Sequence, residues 1–368
     1  MIEPLETPTF VIDDFSDSRD IRFFDYLTHE NIPFEILELC SSELPYRDIV
    51  YYPVILTHVT DNTDIFENVN CRALQKAQDN ELTIVFIYDG FDDVTRSAYA
   101  LLTQLFEHNL SMADVRFITQ IKPACDNYPF VYFSFAEIET HMAAFEDDYV
   151  ETIQEGERDN IATLQVSNDT AHARLFCGAL WYHALNNYNY FSYGAATCDV
   201  MHSPIYTWDE HWQATGTLLD MFGQQLPIAC KENNKLKHFN NAYWNLNVQP
   251  NFHAGGLSLG PQLFEPILNM QPFIIIGSAY SAKLLRSLGY KTFSNDVNEN
   301  YDAEDNDESR MQTLFRLAYD MCYWTSDELL ELSKKLHPII RHNQQHLLSS
   351  KKFRLLTLLH ELKTDNTV

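Results

Sequence analysis

The sequence predicts an α/β protein of two domains, each built on a parallel β-sheet. The chain has 368 residues, more than one hydrophobic core usually serves. Two continuous apolar runs, Leu82–Tyr88 and Pro272–Ile276, are rich in β-branched and aromatic residues. Such runs are typical of strands buried on both faces of a parallel sheet. Strand and helix patterns alternate around both runs, as in βαβ units.

The first half begins with short alternating elements. We predict a strand at Thr9–Asp13, a helix at Arg22–Thr28 and a second strand within Ile32–Leu37. Val50–Leu56 is also apolar, but Pro53 has no N–H to give to a sheet and argues against a central strand.

Beyond the run Leu82–Tyr88, apolar positions at helical spacing predict a helix from about Thr95 to His108. Strands follow at Val115–Thr119 and Phe130–Ser134. Because βαβ crossovers are right-handed, these elements predict a Rossmann-like domain over residues 1–155. An acidic stretch near 145–160 is either the domain boundary or an ordinary surface loop.

The second predicted domain covers residues 156–325. Its predicted elements are a strand at Ala162–Val166, helices at Ala171–Asn186 and Asp209–Phe222, a strand within Phe239–Val248, the strand Pro272–Ile276 and a helix at Ala279–Leu288. Gly289 would stop that last helix. The acidic segment Asp296–Glu308 is predicted to be a solvated loop or a flexible insert, and residues 326–368 two further helices.

The composition is that of an acidic globular protein. Hydrophobic residues make up 45% and charged residues 21% of the chain, within the usual range. Acidic residues number 52 against 25 Lys and Arg, for a net charge of −27. Such a surface repels phosphate backbones and disfavours a nucleic-acid partner, although a local basic cleft would still allow one.

The seven cysteines are widely spaced, odd in number and without a CxxC pair. We therefore expect reduced thiols, and neither a disulfide framework nor a zinc site. The first ten residues lack the basic and apolar regions of a signal peptide, and no apolar run is long enough to span a membrane. These features favour a cytoplasmic protein without a membrane span.

Two strand ends are the main candidates for a site, because ligands of open α/β sheets bind beyond the carboxyl ends of strands. Asp89 follows the first buried run and is a candidate catalytic base. Gly277 and Ser278 follow the second, just before a predicted helix start whose N–H groups would suit a nucleotide diphosphate. An ordinary β–α turn is the alternative at this position.

Other candidates lie in loops and at a predicted helix start. His253, in an unusual polar loop before two glycines, is a second candidate base or a structural histidine. His172 and Arg174 open a predicted helix, where Arg174 would bind a phosphate or pair with an acidic residue. Ser258 lies in a GxSxG pattern, but Pro261 follows it, and a chance match is favoured over a hydrolase nucleophile. GxGxxG, P-loop and HExxH patterns are absent from the sequence.

Several stretches of the second half share the pattern of a known family. Phe264–Ser278 and Leu284–Phe293 are similar to "F-K-P-I…P-F-I-I-x-G" and "L-K-S-L-G-F-K-T-F". Asn300-Tyr-Asp302 with Arg310 is similar to "E-S-Y-D…R", and Asn168–Arg174 to "N-R-x-x-R-x-H-R". The chain resembles, on these stretches, glycosyltransferase-like proteins of tailed bacteriophages and marine bacteria, which are distantly similar to α-fucosyltransferases.

The resemblance implies a GT-B-like fold, with two Rossmann-like lobes facing a cleft and C-terminal helices. It implies a nucleotide-sugar co-substrate of unknown identity on the second lobe, no metal, and an unknown acceptor, which would be a glycan, a protein or a modified base of phage DNA. For a phage protein, the expected location is the cytoplasm of the host cell.

The chain departs from the family at its donor motif. Pro261 and Gln262 stand where the family has the Glu and Lys of "S-E-K-T", and Glu265 replaces the Lys of "F-K-P-I". Gln262 and Glu265 are therefore predicted, with Arg174, His172, Gly277 and Ser278, to contact the nucleotide sugar. Losing the family's Glu and Lys leaves three hypotheses: an active glycosyltransferase, an inactive relative that acts as a binding or assembly module, and an unrelated α/β enzyme.

Overall fold

The computed structural model is an α/β protein of two compact units. It describes residues 7–13, 22–40, 50–56, 63–90, 98–122, 130–144, 149–151, 153, 156–158, 160–166, 172–173, 176, 191–195, 239, 241–253, 256–321 and 323–363. The first unit comprises Met1–Ile138 and Ser350–Val368, and the second comprises Glu139–Ser349.

The first unit is built on a six-stranded sheet in the order β2-β1-β3-β4-β5-β7. Its strands are β1 (Thr9–Ile12), β2 (Glu35–Glu38), β3 (Val50–Ile55), β4 (Thr83–Tyr88), β5 (Val115–Thr119) and β7 (Phe130–Tyr132), and β6 is Ile121–Lys122. The helices of this part of the chain are α1 (Arg22–His29), α2 (Cys71–Gln78), α3 (Ala98–Glu107) and α4 (Phe135–Ala143). Every pair of neighbouring strands in the sheet is parallel, which confirms the Rossmann-like prediction.

The prediction about Pro53 was wrong, because β3 is an interior strand between β1 and β4. The pairing explains how the sheet accepts the proline. The β1 partners of β3 are Val50 and Tyr51, whereas Pro53 is paired with Val85 of β4. Pro53 therefore lies beyond the β1 ladder, where one side of the strand needs no N–H donor.

The second unit is built on a four-stranded parallel sheet in the order β12-β10-β8-β9. Its strands are β8 (Asn160–Val166), β9 (Phe191–Ala195), β10 (Ala242–Val248) and β12 (Phe273–Ile276), and β11 is Leu257–Ser258. The later helices are α5 (Pro261–Leu268), α6 (Ser281–Ser287), a 3₁₀ helix at Asn300–Ala303, α7 (Asp307–Met321) and α8 (Ser326–Lys363). The two parallel sheets confirm the predicted α/β class.

The end of the chain differs from the prediction of two helices, because α8 is one helix of 38 residues. Its internal Pro338 would cost about 3 kcal/mol in an isolated helix. Leu336 and Ile340 on either side of the proline are buried, and this packing holds the helix through the proline. Residues of α8 up to Ser349 belong to the second unit and those from Ser350 to the first.

The acidic segment Asp296–Glu308 is not the solvated loop that its charge predicted. Tyr301 and Asp302 are buried in the 3₁₀ helix, and α7 begins at Asp307. The predicted helix at Asp209–Phe222 lies outside the described residues, and of Ala171–Asn186 only 172, 173 and 176 are described, as helical. Among the described residues, no helix is both long enough and apolar enough to cross a membrane.

The strand orders show at which strand the chain moves from one side of each sheet to the other. In the second unit, the chain goes from β8 to β9 on one side and then to β10 on the other side of β8. The switch point therefore lies between β8 and β10. By the same argument, the switch point of the first unit lies between β1 and β3. Ligands of such sheets bind at the carboxyl ends of the strands at these points.

Candidate functional site

Gln249, the residue after β10, joins the carboxyl ends of the strands in the second unit. Its backbone N–H donates to the Ile276 carbonyl oxygen at 2.9 Å, and its own carbonyl oxygen accepts from His172 Nε2 at 2.9 Å. Its side-chain Oε1 accepts from the Gly260 N–H at 2.7 Å. The switch point is therefore a region of ordered and buried polar contacts.

His172 is a buried neutral histidine at this switch point. Burial lowers the pKa of its imidazole to about 4, although the hydrogen bond to the Gln249 carbonyl partly opposes the shift. The ring stacks on Phe252 with 5.2 Å between centroids. His172 holds the strand ends together, and its predicted contact with a nucleotide sugar stays a prediction.

His253 and Asp307 form a pair close to His172. His253 Nδ1 lies 2.6 Å from Asp307 Oδ2, and the two side chains are 40% and 27% exposed. The His253 ring lies 6.2 Å from the His172 ring, which places the pair beside the switch point. Because a carboxylate only accepts hydrogen bonds, Nδ1 is the protonated nitrogen of the neutral ring and Nε2 is its basic nitrogen.

Arg310 connects this pair to the ends of two strands. Its side chain is 1% exposed and donates from Nε to the Gly277 carbonyl oxygen at 3.1 Å. It also donates from Nη1 to the Glu304 carbonyl oxygen at 2.7 Å and from Nη2 to the Phe252 carbonyl oxygen. Nη2 donates a further bond to Asp307 Oδ1 at 2.5 Å, and the guanidinium lies 4.4 Å from the centre of the Phe252 ring.

Gly277 and Ser278 follow β12, as predicted, but their polar groups face the protein. A Cβ on Gly277 would lie 3.0 Å from Cγ of Gln249, so this position needs glycine for the close approach. Ser278 is buried, its N–H donates to the Asn251 carbonyl oxygen at 3.1 Å, and its hydroxyl donates to the His253 carbonyl oxygen at 3.4 Å. Their predicted contacts with a donor stay predictions.

The helix start behind Ser278 is occupied by an acidic side chain of the protein. The helix α6 begins at Ser281, two residues later than predicted, because Tyr280 has a left-handed backbone with φ of 68°. The Asp302 carboxylate accepts from the N–H of Ala282 at 2.7 Å and of Lys283 at 2.9 Å. These two N–H groups are therefore not available to a diphosphate, contrary to the expectation from the sequence.

A chain of buried amide side chains runs along one face of β10. Asn245, Asn247 and Gln249 alternate with apolar residues along this strand and its end. Asn245 Nδ2 donates to Gln165 Oε1 at 3.1 Å, and Asn247 Nδ2 donates to the Gln262 carbonyl oxygen at 2.6 Å. This network attaches the start of α5 to the sheet. Sequence reasoning missed it, although the alternation of amide residues was visible.

Gln262 and Glu265 both lie on α5, close to this network. Glu265 accepts a hydrogen bond from Gln165 Nε2, so its carboxylate is held by the strand β8. The side-chain oxygen of Gln262 is buried and has no hydrogen-bond partner in the described part of the chain. Their predicted contacts with the nucleoside are not tested by these positions.

Asp89 and Asp13 occupy different strand ends of the first unit. Asp89 is exposed after β4, and its carbonyl oxygen accepts from the Gln120 side chain. The switch point between β1 and β3 instead carries Asp13, whose Oδ2 accepts from the Tyr52 hydroxyl at 2.9 Å. Sequence reasoning did not identify Asp13, because the order of the strands was unknown.

Arg174 lies outside the described residues. Ser258 is 2% exposed, and its hydroxyl oxygen accepts from Asn251 Nδ2 at 3.0 Å, which does not suit an exposed nucleophile. Within the described ranges, no group of three or more His, Cys, Asp or Glu residues is arranged to hold a metal ion.

No family model matches the chain, and no curated protein matches it. Among solved structures, an α1,3-fucosyltransferase is similar with a TM-score of 0.41 and 10% identity, over 100% of this chain and 93% of that one. A UDP-forming α,α-trehalose-phosphate synthase from Burkholderia vietnamiensis is similar with a TM-score of 0.39 and 8% identity, over 96% of this chain and 99% of that one.

Proposed function

We propose that this chain is a glycosyltransferase that moves a sugar from a nucleotide-sugar donor to an acceptor hydroxyl without a bound metal. One observation carries the proposal, namely the contact of 2.6 Å between His253 and Asp307 beside the switch point of a parallel sheet. Ligands of α/β sheets bind at such a point, and a histidine oriented by a carboxylate is suited to general-base catalysis.

The chemistry assigned to His253 is removal of the acceptor proton. Its Nε2 would take the proton as the acceptor oxygen attacks the anomeric carbon of the donor sugar. The bond from that carbon to the diphosphate oxygen breaks, and the nucleoside diphosphate leaves with the bonding electrons. Asp307 stabilises the imidazolium formed in this step. Asp89 stays the alternative candidate for the base.

The donor is assigned to the second unit by the resemblance of its sequence stretches. Arg174 is the candidate for the diphosphate, and it follows by two residues the buried His172, whose ring is 6.2 Å from that of His253. Gln262 and Glu265 are the candidates for the nucleoside. The acceptor is proposed to be a glycan or a protein, since the net charge of −27 disfavours a base in DNA.

The binding part of the proposal is tested by thermal unfolding with a panel of nucleotides and nucleotide sugars. A ligand at 100 times its Kd stabilises the native state by about 2.7 kcal/mol, so one nucleotide is expected to raise Tm. The variant Arg174→Ala should abolish this response, and Arg316→Ala, at an exposed position of α7, should retain it. A response retained by Arg174→Ala would contradict the assigned phosphate contact.

The catalytic part is tested with the nucleotide sugar that this panel identifies, by following release of its nucleoside diphosphate. His253→Gln should lower kcat by roughly 10²–10⁴-fold, the usual contribution of general-base catalysis, and should leave the nucleotide-induced rise in Tm unchanged. His360→Gln, at an exposed position of α8, is the matched control. Unchanged turnover in His253→Gln would exclude His253 as the base.

A specific observation favours a second function, that of a binding module without transfer activity. The start of α6 is capped by Asp302, and Glu265 is held by Gln165, so groups expected to serve the donor make contacts within the protein. The family's Glu and Lys are also replaced at Pro261 and Gln262. No Tm response to any nucleotide at millimolar concentration would support this function and contradict the transferase.

A further inference from the structure

We propose that Arg310 is a positioning residue that fixes the orientation of the side chain at position 307 and thereby which group of that side chain meets the ring of His253. Arg310 acts through Asp307. Its role in catalysis rests on the proposed function, but its effect on the His253 ring does not. The three side chains form a continuous series in which Arg310 holds one oxygen of Asp307 and His253 contacts the other.

The side chain of Arg310 is held in one place by several contacts. Its guanidinium donates to the carbonyl oxygens of Gly277, Glu304 and Phe252 and rests on the Phe252 ring. These contacts come from three separate segments of the second unit. The N–H groups of a guanidinium point in fixed directions within one plane. The backbone carbonyl groups that bind Arg310 therefore determine the direction in which Nη2 points toward Asp307.

The two carboxylate oxygens of Asp307 face different side chains. Oδ1 accepts from Arg310 Nη2 at 2.5 Å, and Oδ2 faces His253 Nδ1 at 2.6 Å. Arg310 has donors and no acceptor, so the group that faces it must be an acceptor. The orientation of any planar group at position 307 is therefore set by Arg310, and the opposite end of that group always faces His253.

An amide of the same shape as the carboxylate would present a donor to His253. In Asp307→Asn, Arg310 would retain the amide oxygen and turn the NH₂ group toward His253 Nδ1. Two donors cannot share that contact, so the ring proton would move from Nδ1 to Nε2. His253 would then present an N–H where the native ring presents a basic nitrogen.

The experiment reads the proton directly by long-range ¹H–¹⁵N NMR on protein with ¹⁵N-labelled histidine, at a pH where the ring is neutral. His253→Gln identifies the His253 signals. We expect the proton on Nδ1 in the native protein and on Nε2 in Asp307→Asn. Asp320→Asn, which removes an exposed charge from the same helix, should leave it on Nδ1. A proton that stays on Nδ1 in Asp307→Asn would overturn the proposal.

The contribution of Arg310 itself is separated by adding Arg310→Gln to Asp307→Asn. A Gln side chain offers both a donor and an acceptor, so it no longer selects one orientation of the amide, and a mixture of both ring forms is expected. If the double variant does not fold, the single variant Asp307→Asn still tests the proposal. A ring proton on Nδ1 of His253 in that folded variant would refute it. The NMR result needs no substrate, so failure of sugar transfer would not be confused with failure of this inference.

Discussion

The Asp302 carboxylate accepts a hydrogen bond from the backbone N–H of Ala282 at 2.7 Å, twenty residues earlier in the chain, and thereby caps the helix α6, which begins at Ser281. It also accepts from the N–H of Lys283 at 2.9 Å and pairs with Arg286. Burial raises the pKa of Asp302, and these donors oppose the shift. The acidic segment is therefore part of the folded second unit, because the Asp302 carboxylate accepts hydrogen bonds from backbone N–H groups at the start of α6.

Replacing this cap should destabilise the second unit. In Asp302→Asn, one carboxylate oxygen becomes an NH₂ group that faces a backbone or guanidinium donor. We expect the free energy of unfolding at neutral pH to fall by about 1–3 kcal/mol, the usual cost of an unsatisfied buried group. Urea titration measures the change. The charge-matched surface variant Asp320→Asn should change stability by less than about 0.5 kcal/mol, and an equal loss in both variants would contradict the assigned cap.

The buried His172 predicts a loss of stability in acid. Its pKa is about 4 in the fold against an ordinary value of 6.5 for histidine, so the unfolded chain binds the proton more tightly. This contribution to stability is complete above pH 6.5 and is lost as the pH falls toward 4, by up to about 3 kcal/mol.

The variant His172→Gln tests this acid sensitivity, because glutamine retains a hydrogen-bond donor and does not titrate. Its unfolding free energy, measured from pH 4 to pH 7, should fall less steeply toward acid than that of the native protein. The exposed-site variant His360→Gln should follow the native profile. Parallel profiles for the native protein and His172→Gln would show that His172 is not buried in its neutral form.

Gly289 should not tolerate a side chain. Its φ is +95°, and an added Cβ would lie 2.7 Å from Cε1 of His346. We expect Gly289→Ala to cost about 1–3 kcal/mol from backbone strain and contact with the ring, measured by calorimetry. Gly156→Ala is the matched control, since no atom lies within 4 Å of its added Cβ. If Gly289→Ala were as stable as Gly156→Ala, the turn after α6 would have a different conformation.

The C-terminal part of α8 should depend on a buried ion pair within the first unit. Arg354 Nε donates to Glu137 Oε2 at 3.1 Å, and the Ser350 hydroxyl donates to Oε1 at 3.0 Å. Glu137 is 1% exposed, so Arg354→Met would leave a buried carboxylate without its counter-ion, at a cost of about 3 kcal/mol or more. Urea unfolding should show this loss.

Two further variants qualify the result for this ion pair. Lys352→Met, at an exposed position of the same helix, should leave stability nearly unchanged. Adding Glu137→Met to Arg354→Met should restore part of the loss, because it removes the uncompensated charge. No recovery in the double variant would mean that Arg354 acts through packing and not through its charge.

The strands β4 and β12 were predictable because each is a continuous run of buried apolar residues. The interior position of β3 was not predictable from the sequence. Proline is unfavourable in a strand only where its missing N–H would be needed for pairing. The register alone shows that the pairing of β3 with β1 ends before Pro53. The start of α6 was misplaced for a similar reason. The left-handed Tyr280 that delays it has no signal in the sequence.

At the candidate site, His253 was identified from its unusual loop, but its partner was not. Asp307 lies 54 residues farther along the chain, within a segment whose many acidic residues predicted only solvation. Arg310 was noticed through the resemblance, without a role. The contacts among His253, Asp307 and Arg310 form because the segment after β12 returns to the end of β10. No local sequence pattern encodes this return.

The amino-acid sequence by itself determined the α/β class, the two continuous strands and the excess of acidic charge, because propensity, burial pattern and charge are properties of local residues. Only the tertiary structure decided the strand orders, the switch points, the cap by Asp302 and the pairing of His253 with Asp307. These depend on contacts between distant residues, whose geometry arises when the chain folds and buries its polar groups against one another.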